Sequence, residues 1–561
     1  MNSENAGPKT PDRRILWVLG MVAIAYLPGL WGTFVLDDHL LVRDNPRFVD
    51  FSSVLGFFVE PVEASLPNGT PNIYYRPLSF LSLWIDRCLF GDDAFGFHVT
   101  QLLLHLLSTW LVWRLALHFL PSRAGGLWRL GFAAIWALLP FHAETVTYIA
   151  ARHDVLFLAL YLAALNVYCS SKDGWWRRAT FVGLALAAFA SKEMAISLPV
   201  AAVLFDLLVR ESEKPLLPLR WSVRTSVAAA TLLGMFAIRA VVVSGASDGG
   251  TGATDAAVGG LNVPLIVSVL WEYVTLIATP WTYSIDRSND VTADGLACVA
   301  GAVFLAATLA LCVRGLRPAS RRDRRIAAFA SLWAAASYLP VSNLIPLYTS
   351  CADRYLYLPA LAATLVVAMI VGVRCRGRER VVLCVVVGMA SLVAFRCTFF
   401  RNESVLFAKT LETSPESPLA HNNLGVIAKR EGDFVRAAES FHAAVQVAPS
   451  YHEARFNLGV LARECRDYET SREMLSRLVE ESPSDAQAWF QFGMTALASG
   501  DAAGARSRLE RAENLLPGQL AVLYHLAVAE HLTGDSADAA GRLRSTLKRF
   551  PDHASSRSLL R

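Results

Sequence analysis

Long apolar runs recur through residues 1–400 of this chain, and a soluble domain has nowhere to bury so many of them. They fall at about 15–31, 96–120, 128–141, 155–169, 180–190, 195–209, 225–243, 296–313, 326–346, 355–373 and 381–399. That predicts about eleven membrane crossings, most near the length a bilayer demands and a few short. Composition agrees: the 561 residues are 54% hydrophobic and only 18% charged, with a mean hydropathy of +0.38. The expectation is an all-α polytopic membrane bundle with a soluble appendage. Lys9, Arg13 and Arg14 precede the first run as they would in a signal peptide, but no small-residue cleavage site follows before Asp37, so a retained signal anchor is expected. The nine cysteines include no Cys-x-x-Cys pair, so neither a disulfide framework nor a zinc site is indicated.

Charge sets the expected orientation. Arginine and lysine cluster at the N-terminus, at Arg123/Arg129, at Lys172/Arg177/Arg178, at 210–224, at 314–325 and at 374–380, and positive loops face the cytoplasm. The net charge of +4 therefore speaks of topology, and no nucleic-acid partner is expected. A further run, 263–280, contains Glu272; the neighbouring crossings already satisfy the charge rule without it, so it reads as re-entrant or interfacial. Residues 74–90 read as an amphipathic stretch along the interface. An odd number of crossings puts the C-terminal region on the outer side, with the Asp37-Asp38 loop and most of the unusual polar residues. The Gly- and Asp-rich loop 244–262 lies there too, as a candidate lid.

From about Pro418 the pattern changes to a 34-residue beat, as from Leu424-Gly425 to Leu458-Gly459 to Phe492-Gly493 to Leu526-Ala527. Pro449, Pro483, Pro517 and Pro551 keep the same spacing, with Phe441, Leu475, Leu509 and Leu543 filling the second helix of each unit. This is the tetratricopeptide signature: paired antiparallel helices that bury their faces only by stacking. The expected domains are residues 1–400 and 401–561, with repeats at about 418–451, 452–485, 486–519 and 520–553 after a half repeat. The solenoid serves either as a spacer or as a groove for a protein partner, the latter being favoured.

The outer face carries the chemistry. Transporters place charge at the bilayer midplane, often within inverted repeats, whereas these charges collect at the ends of apolar runs. Transfer of a sugar from a polyprenyl phosphate needs a carboxylate to take the acceptor proton and cations to hold the phosphate. Asp37 and Asp38 supply the carboxylates, with Asp37 the first choice for base and Asp38 its neighbour or organiser; Arg76, Arg152, Lys192 and Arg354 supply positive charge. Phosphate is a good leaving group, so one base attacking from the opposite face would invert the anomeric centre. Each assignment has a plainer counterpart. The alternatives are a snorkelling Arg76, His142 and Glu144 as the end of a span, a structural ion pair of Arg152 with Asp154, and Arg354 as a topology anchor beside Tyr355. Lys192-Glu193 sits between two runs with almost no loop, which places both charges in an outward cavity. No third ligand accompanies the Asp37-Asp38-His39 cluster, so no metal or other cofactor is expected.

The ordered set of motifs resembles one known family. Phe34-Val35-Leu36-Asp37-Asp38, Tyr75-Arg76-Pro77-Leu78, Gly96-Phe97-His98, Pro140-Phe141-His142-Ala143-Glu144, Ser191-Lys192-Glu193-Met194, Ser342-Asn343-Leu344-Ile345-Pro346 and Asp353-Arg354-Tyr355-Leu356-Tyr357-Leu358-Pro359 are similar to those of the transmembrane and tetratricopeptide-repeat O-mannosyltransferases, of the GT-C superfamily. The resemblance implies a GT-C-like membrane bundle and a lipid-phosphate-sugar donor. It also implies transfer to Ser/Thr hydroxyls of proteins outside the cytoplasm, across the plasma (inner) membrane if the chain is bacterial, with the repeats binding the acceptor. The family's Ala-Glu-Arg is Ala352-Asp353-Arg354 here, which leaves open whether Asp353 meets substrate or orients Arg354. The alternatives are a non-catalytic membrane-anchored scaffold, or a transferase acting on a lipid or glycan acceptor.

Overall fold

The computed structural model describes the chain except residues 1–11, 49, 60–61, 66–70, 121–124, 171–173, 211–221, 247–262, 286, 288–298, 301–302, 304–319, 345–348, 375–378 and 561. The expected crossing at 296–313 and most of the candidate lid at 244–262 fall outside the described residues. Two compact units emerge, one of Met1–Glu63 with Ile73–Lys409 and one of Ala64–Asn72 with Thr410–Arg561. The described chain is helical apart from a two-stranded sheet, β1 (Val62–Ser65) with β2 (Pro71–Tyr74).

The larger unit is built from α1 (Ile15–Tyr26), α2 (Pro77–Phe90), α3 (Ala94–Phe119), α4 (Gly125–Ala137), α5 (Arg152–Cys169), α6 (Trp175–Ser191), α7 (Ser197–Phe205), α8 (Val223–Ala246), α9 (Val263–Ala278), α10 (Arg321–Tyr338), α11 (Pro359–Arg374) and α12 (Glu379–Cys397). Local signals start them where they start. Pro77 opens α2, where its missing N–H costs nothing. Asp93 caps α3 by accepting from the Phe95 N–H at 3.0 Å, and Ser320 caps α10 by accepting from the Asp323 N–H at 3.1 Å.

Among the described residues, three helical segments are long and apolar enough to cross a bilayer: Ala94–Phe119, Ile149–Cys169 and Arg380–Arg401. Ile15–Trp31, Val223–Ile238, Val263–Ile277 and Pro359–Val371 are shorter apolar helices. Two of the long ones differ in what surrounds them. Ile149–Cys169 is 72% buried within the protein, whereas Arg380–Arg401 is only 22% buried and turns Val381, Leu383, Val385, Val387 and Phe395 outward. A face of that composition is stable against lipid and not against water. Around the inner helix the core contains Trp136, Phe157, Tyr161, Phe329, Trp333 and Tyr357, with the Trp333 indole donating to the Tyr161 hydroxyl at 2.8 Å.

In the smaller unit, helix pairs begin at Pro418, His452, Ala486 and Leu520, each 34 residues after the last, and Ala554–Leu560 closes the series. The glycines of the motif are required by close approach: a Cβ at Gly425 would lie 2.7 Å from the Phe441 ring, and one at Gly493 2.6 Å from Leu509. Asp433, Asp467 and Asp501 cap the second helix of successive repeats by accepting from Arg436, Thr470 and Gly504 N–H groups. The turn before them takes a left-handed residue, Gly432, Gly500 and Gly534 in three repeats and Arg466 in the other.

Candidate functional site

The two aspartates part company. Asp37 is exposed, with the Tyr148 hydroxyl beside its carboxylate. Asp38, assigned with it to catalysis, has no exposed surface; it accepts from the Val35 N–H at 3.0 Å and from the Ala150 N–H at 2.6 Å. Burial pushes the Asp38 carboxyl well above its usual range, against the pull of those N–H groups. Asp38 therefore ties the loop to the turn that leads into α5, and Asp37 alone faces outward. The loop turns at Leu36, whose φ of 51° is left-handed and costly for a leucine. Glu403 helps to hold that turn, accepting from the Leu36 N–H at 3.1 Å and lying 3.3 Å from His39 Nε2.

Every cation expected to bind phosphate is in contact with a carboxylate. Arg354 meets Glu144 at 2.7 Å, Arg76 meets Glu193 at 2.7 Å through one nitrogen and 3.2 Å through another, and Arg152 meets Asp86 at 2.5 Å. Lys192 pairs with Asp154, whose other oxygen lies 3.0 Å from His153 Nε2. Exposure separates them. The Arg152 side chain is fully buried, also donating to Gln101, Ser82 and the Phe97 carbonyl, so it braces α5 against α2 and α3 and cannot reach a donor; its expected partner Asp154 belongs to Lys192 instead. Lys192 is 3% exposed, whereas the side chains of Arg76 and Arg354 are 15% and 18% exposed. Burial lowers the Lys192 ammonium despite Asp154, and burial raises the Glu144 carboxyl against the pull of Arg354. Desolvation of Glu193 is more than offset by Arg76, which holds that carboxyl below the usual range.

Tyr148 joins the aspartate loop to Arg354. Its hydroxyl accepts from the Asp37 N–H at 3.3 Å, and the Arg354 guanidinium lies 6.0 Å from its ring. Tyr355 lies under both Arg354, at 5.5 Å, and Lys192, at 5.6 Å. Tyr148 was not among the candidates; its place four residues after Glu144 was the only available signal. Two other candidates lie deeper than expected. Asp353 has no exposed surface and is held by Arg287 at 3.0 Å and Arg396 at 3.4 Å, so its carboxylate is taken up by those arginines. His142 is likewise buried, between the rings of Tyr357, Phe141 and Trp136, and burial holds its imidazole well below the usual range. Arg287 and Arg396 carried no motif that sequence alone would have flagged.

An apolar helical unit with a polar cluster, joined in sequence to stacked helix pairs, is the class these observations define. The tetratricopeptide repeat family matches residues 422–486, 456–519 and 490–554. Over most of its length the chain is similar to proteins named as O-mannosyltransferases. It is 23% identical to protein O-mannosyl-transferase F38B6.6 of Caenorhabditis elegans, over 78% of this chain and 63% of that one. With human TMTC4 the identity is 25%, over 73% of this chain and 63% of that one. Drosophila melanogaster Tmtc1 is 32% identical across 33% of this chain and 22% of its own. The chain thus spans less than two thirds of the length of these relatives, and the motif resemblance to the transmembrane and tetratricopeptide-repeat O-mannosyltransferases stands.

Proposed function

We propose that this chain is a multi-pass membrane glycosyltransferase that moves a mannose-like sugar from a polyprenyl-phosphate donor to Ser/Thr hydroxyls of exported proteins. The observation that carries the reading is the exposed Asp37 carboxylate, linked through Tyr148 to the partly exposed Arg354 guanidinium. The similarity to proteins named as O-mannosyltransferases supports it. In the proposed step Asp37 takes the proton of the acceptor hydroxyl as its oxygen attacks the anomeric carbon. The bond from that carbon to the phosphate oxygen breaks, and its electron pair leaves with the polyprenyl phosphate. Attack opposite the leaving group inverts the centre.

Arg354 uses one nitrogen on Glu144 and has further N–H donors for the phosphate, where charge grows as the bond breaks. Arg76 stands ready for the same anion. Both are already ion-paired, so the phosphate shares or displaces a carboxylate partner. The site and the repeats face the outer side in this reading, and the repeats present the acceptor protein. Asp37→Asn is expected to lower transfer by about 10²- to 10⁴-fold with expression and partner binding by the repeats unchanged. Glycopeptide mass spectrometry of the exported proteins, in cells carrying either form, reads the loss. Undiminished transfer in the variant would sink the assignment and return the chain to the scaffold reading.

A further inference from the structure

Tyr148 is fixed in place before it reaches the aspartate loop. Its N–H donates to the Glu144 carbonyl at 2.9 Å, and its own carbonyl accepts from Gln101 Nε2 of α3 at 2.9 Å. Gln101 has no exposed surface and accepts from Arg152 Nε at 2.7 Å through its other end, so the brace finishes in the buried pair of Arg152 with Asp86. Tyr148 is 4% exposed, yet its hydroxyl comes out at the exposed Asp37, taking the backbone N–H at 3.3 Å and lying beside the carboxylate. The loop is tied to the same stretch one residue on, where Asp38 accepts from the Ala150 N–H, and Glu403 takes the Leu36 N–H one residue before. Those two ties place the loop but leave the Asp37 carboxylate free to turn about its own side-chain bonds. Of these groups, the Tyr148 hydroxyl is the one beside that carboxylate.

A phenol has a single proton to give and can also accept. The Asp37 N–H occupies an acceptor position, which leaves the proton for the carboxylate. Burial pushes the Tyr148 phenol well above its usual range, and the charge of Asp37 adds to the rise, so the proton stays on the tyrosine at neutral pH. A hydrogen bond from such a donor favours the ionised carboxylate and fixes one of its oxygens. The same ring lies 6.0 Å from the Arg354 guanidinium, so one side chain sets the base and a phosphate-binding cation against each other. We propose that Tyr148 is the positioning residue of the transfer reaction: its hydroxyl donates to one Asp37 oxygen and leaves the other turned to the acceptor hydroxyl. This deepens the reading of Asp37 as the base and rests on it.

The test measures transfer by the full-length protein in liposomes, from polyprenyl-phosphate mannose to an unglycosylated Ser/Thr peptide whose exported parent protein carries the glycan in wild-type cells. Tyr148→Phe removes the hydroxyl alone. It is expected to lower kcat about 10- to 100-fold with KM for the donor unchanged. The acid limb of the kcat/KM pH profile is expected to move up by about one pH unit, because the ionised base has lost a donor. A 3-fluorotyrosine in place of Tyr148 keeps the ring and makes the phenol a stronger donor, so the limb should move the other way. A tyrosine that only filled space would lower the folded yield of Tyr148→Phe and leave the limb where it is; a limb that stays put in both proteins overturns the proposal. Asp37→Asn separates the two ways of failing. Undiminished transfer there removes the base and this proposal with it, whereas loss of transfer there with an unmoved limb in both Tyr148 proteins strikes the positioning role alone.

Discussion

The two units satisfy their charged and polar groups in opposite ways. In the repeats, structure is made between neighbours: a capping aspartate reaches three residues along, and each motif glycine is fitted to a side chain sixteen residues on, as Gly425 is to Phe441. In the larger unit the decisive pairs join distant parts of the chain, Arg76 with Glu193 across 117 positions and Arg354 with Glu144 across 210. Neighbour-made structure tolerates loss of one contact, because adjacent repeats keep theirs. A buried ion pair between distant segments has no such substitute.

The largest expected effect follows from that contrast. Arg152→Met leaves Asp86 buried beside an apolar chain, and should destabilise the larger unit by about 3–5 kcal/mol, read as a lowered unfolding midpoint in detergent; hydrogen exchange in the repeats should not change. An unfolding free energy within about 0.5 kcal/mol of the wild type would show that the Arg152 network is not essential to packing.

A smaller effect is tied to protons. Burial raises the Glu144 carboxyl from 4.5 to about 7, so the folded state holds that proton more tightly than the unfolded chain. The stability it contributes is fully present below pH 4.5 and is lost as pH rises through about 7, with a slope of at most about 1.4 kcal/mol per pH unit. Chemical denaturation of the full chain across that window should show the decline, and Glu144→Gln should flatten it.

The smallest effect sharpens the repeat side. Arg466 stands where the other three repeats have a glycine, at a φ of 66°. Arg466→Gly should relieve the left-handed strain and stabilise its repeat by about 1 kcal/mol, read as slower hydrogen exchange in 452–481. Faster exchange would mean that the arginine side chain contributes more than its backbone costs.

The same contrast explains how far the sequence could be read. The 34-residue beat placed every helix pair of the solenoid, because each repeat carries its own contacts with it. In the larger unit the motifs led to the polar cluster but not to its pairing. Arg152 and Asp154 are two residues apart in sequence and take different partners, Asp86 and Lys192, because successive positions on a helix face different neighbours. Nothing in the spacing of Asp353 predicted that Arg287 and Arg396 would enclose it. Asp37 and Asp38 were legible as a pair, while the division between an outward and an inward carboxylate needed the turn at Leu36.

The carboxylate beside each of Arg76, Arg354 and Lys192 has a consequence at rest. A cluster whose cations are already answered offers little grip to chloride or sulfate drifting in from the medium. In the proposed function, the hydrocarbon tail and the hexose of the donor supply the further attachments needed to compete with the resident partners. Transfer, in the proposed function, should therefore run at nearly the same rate whichever simple salt is in the buffer.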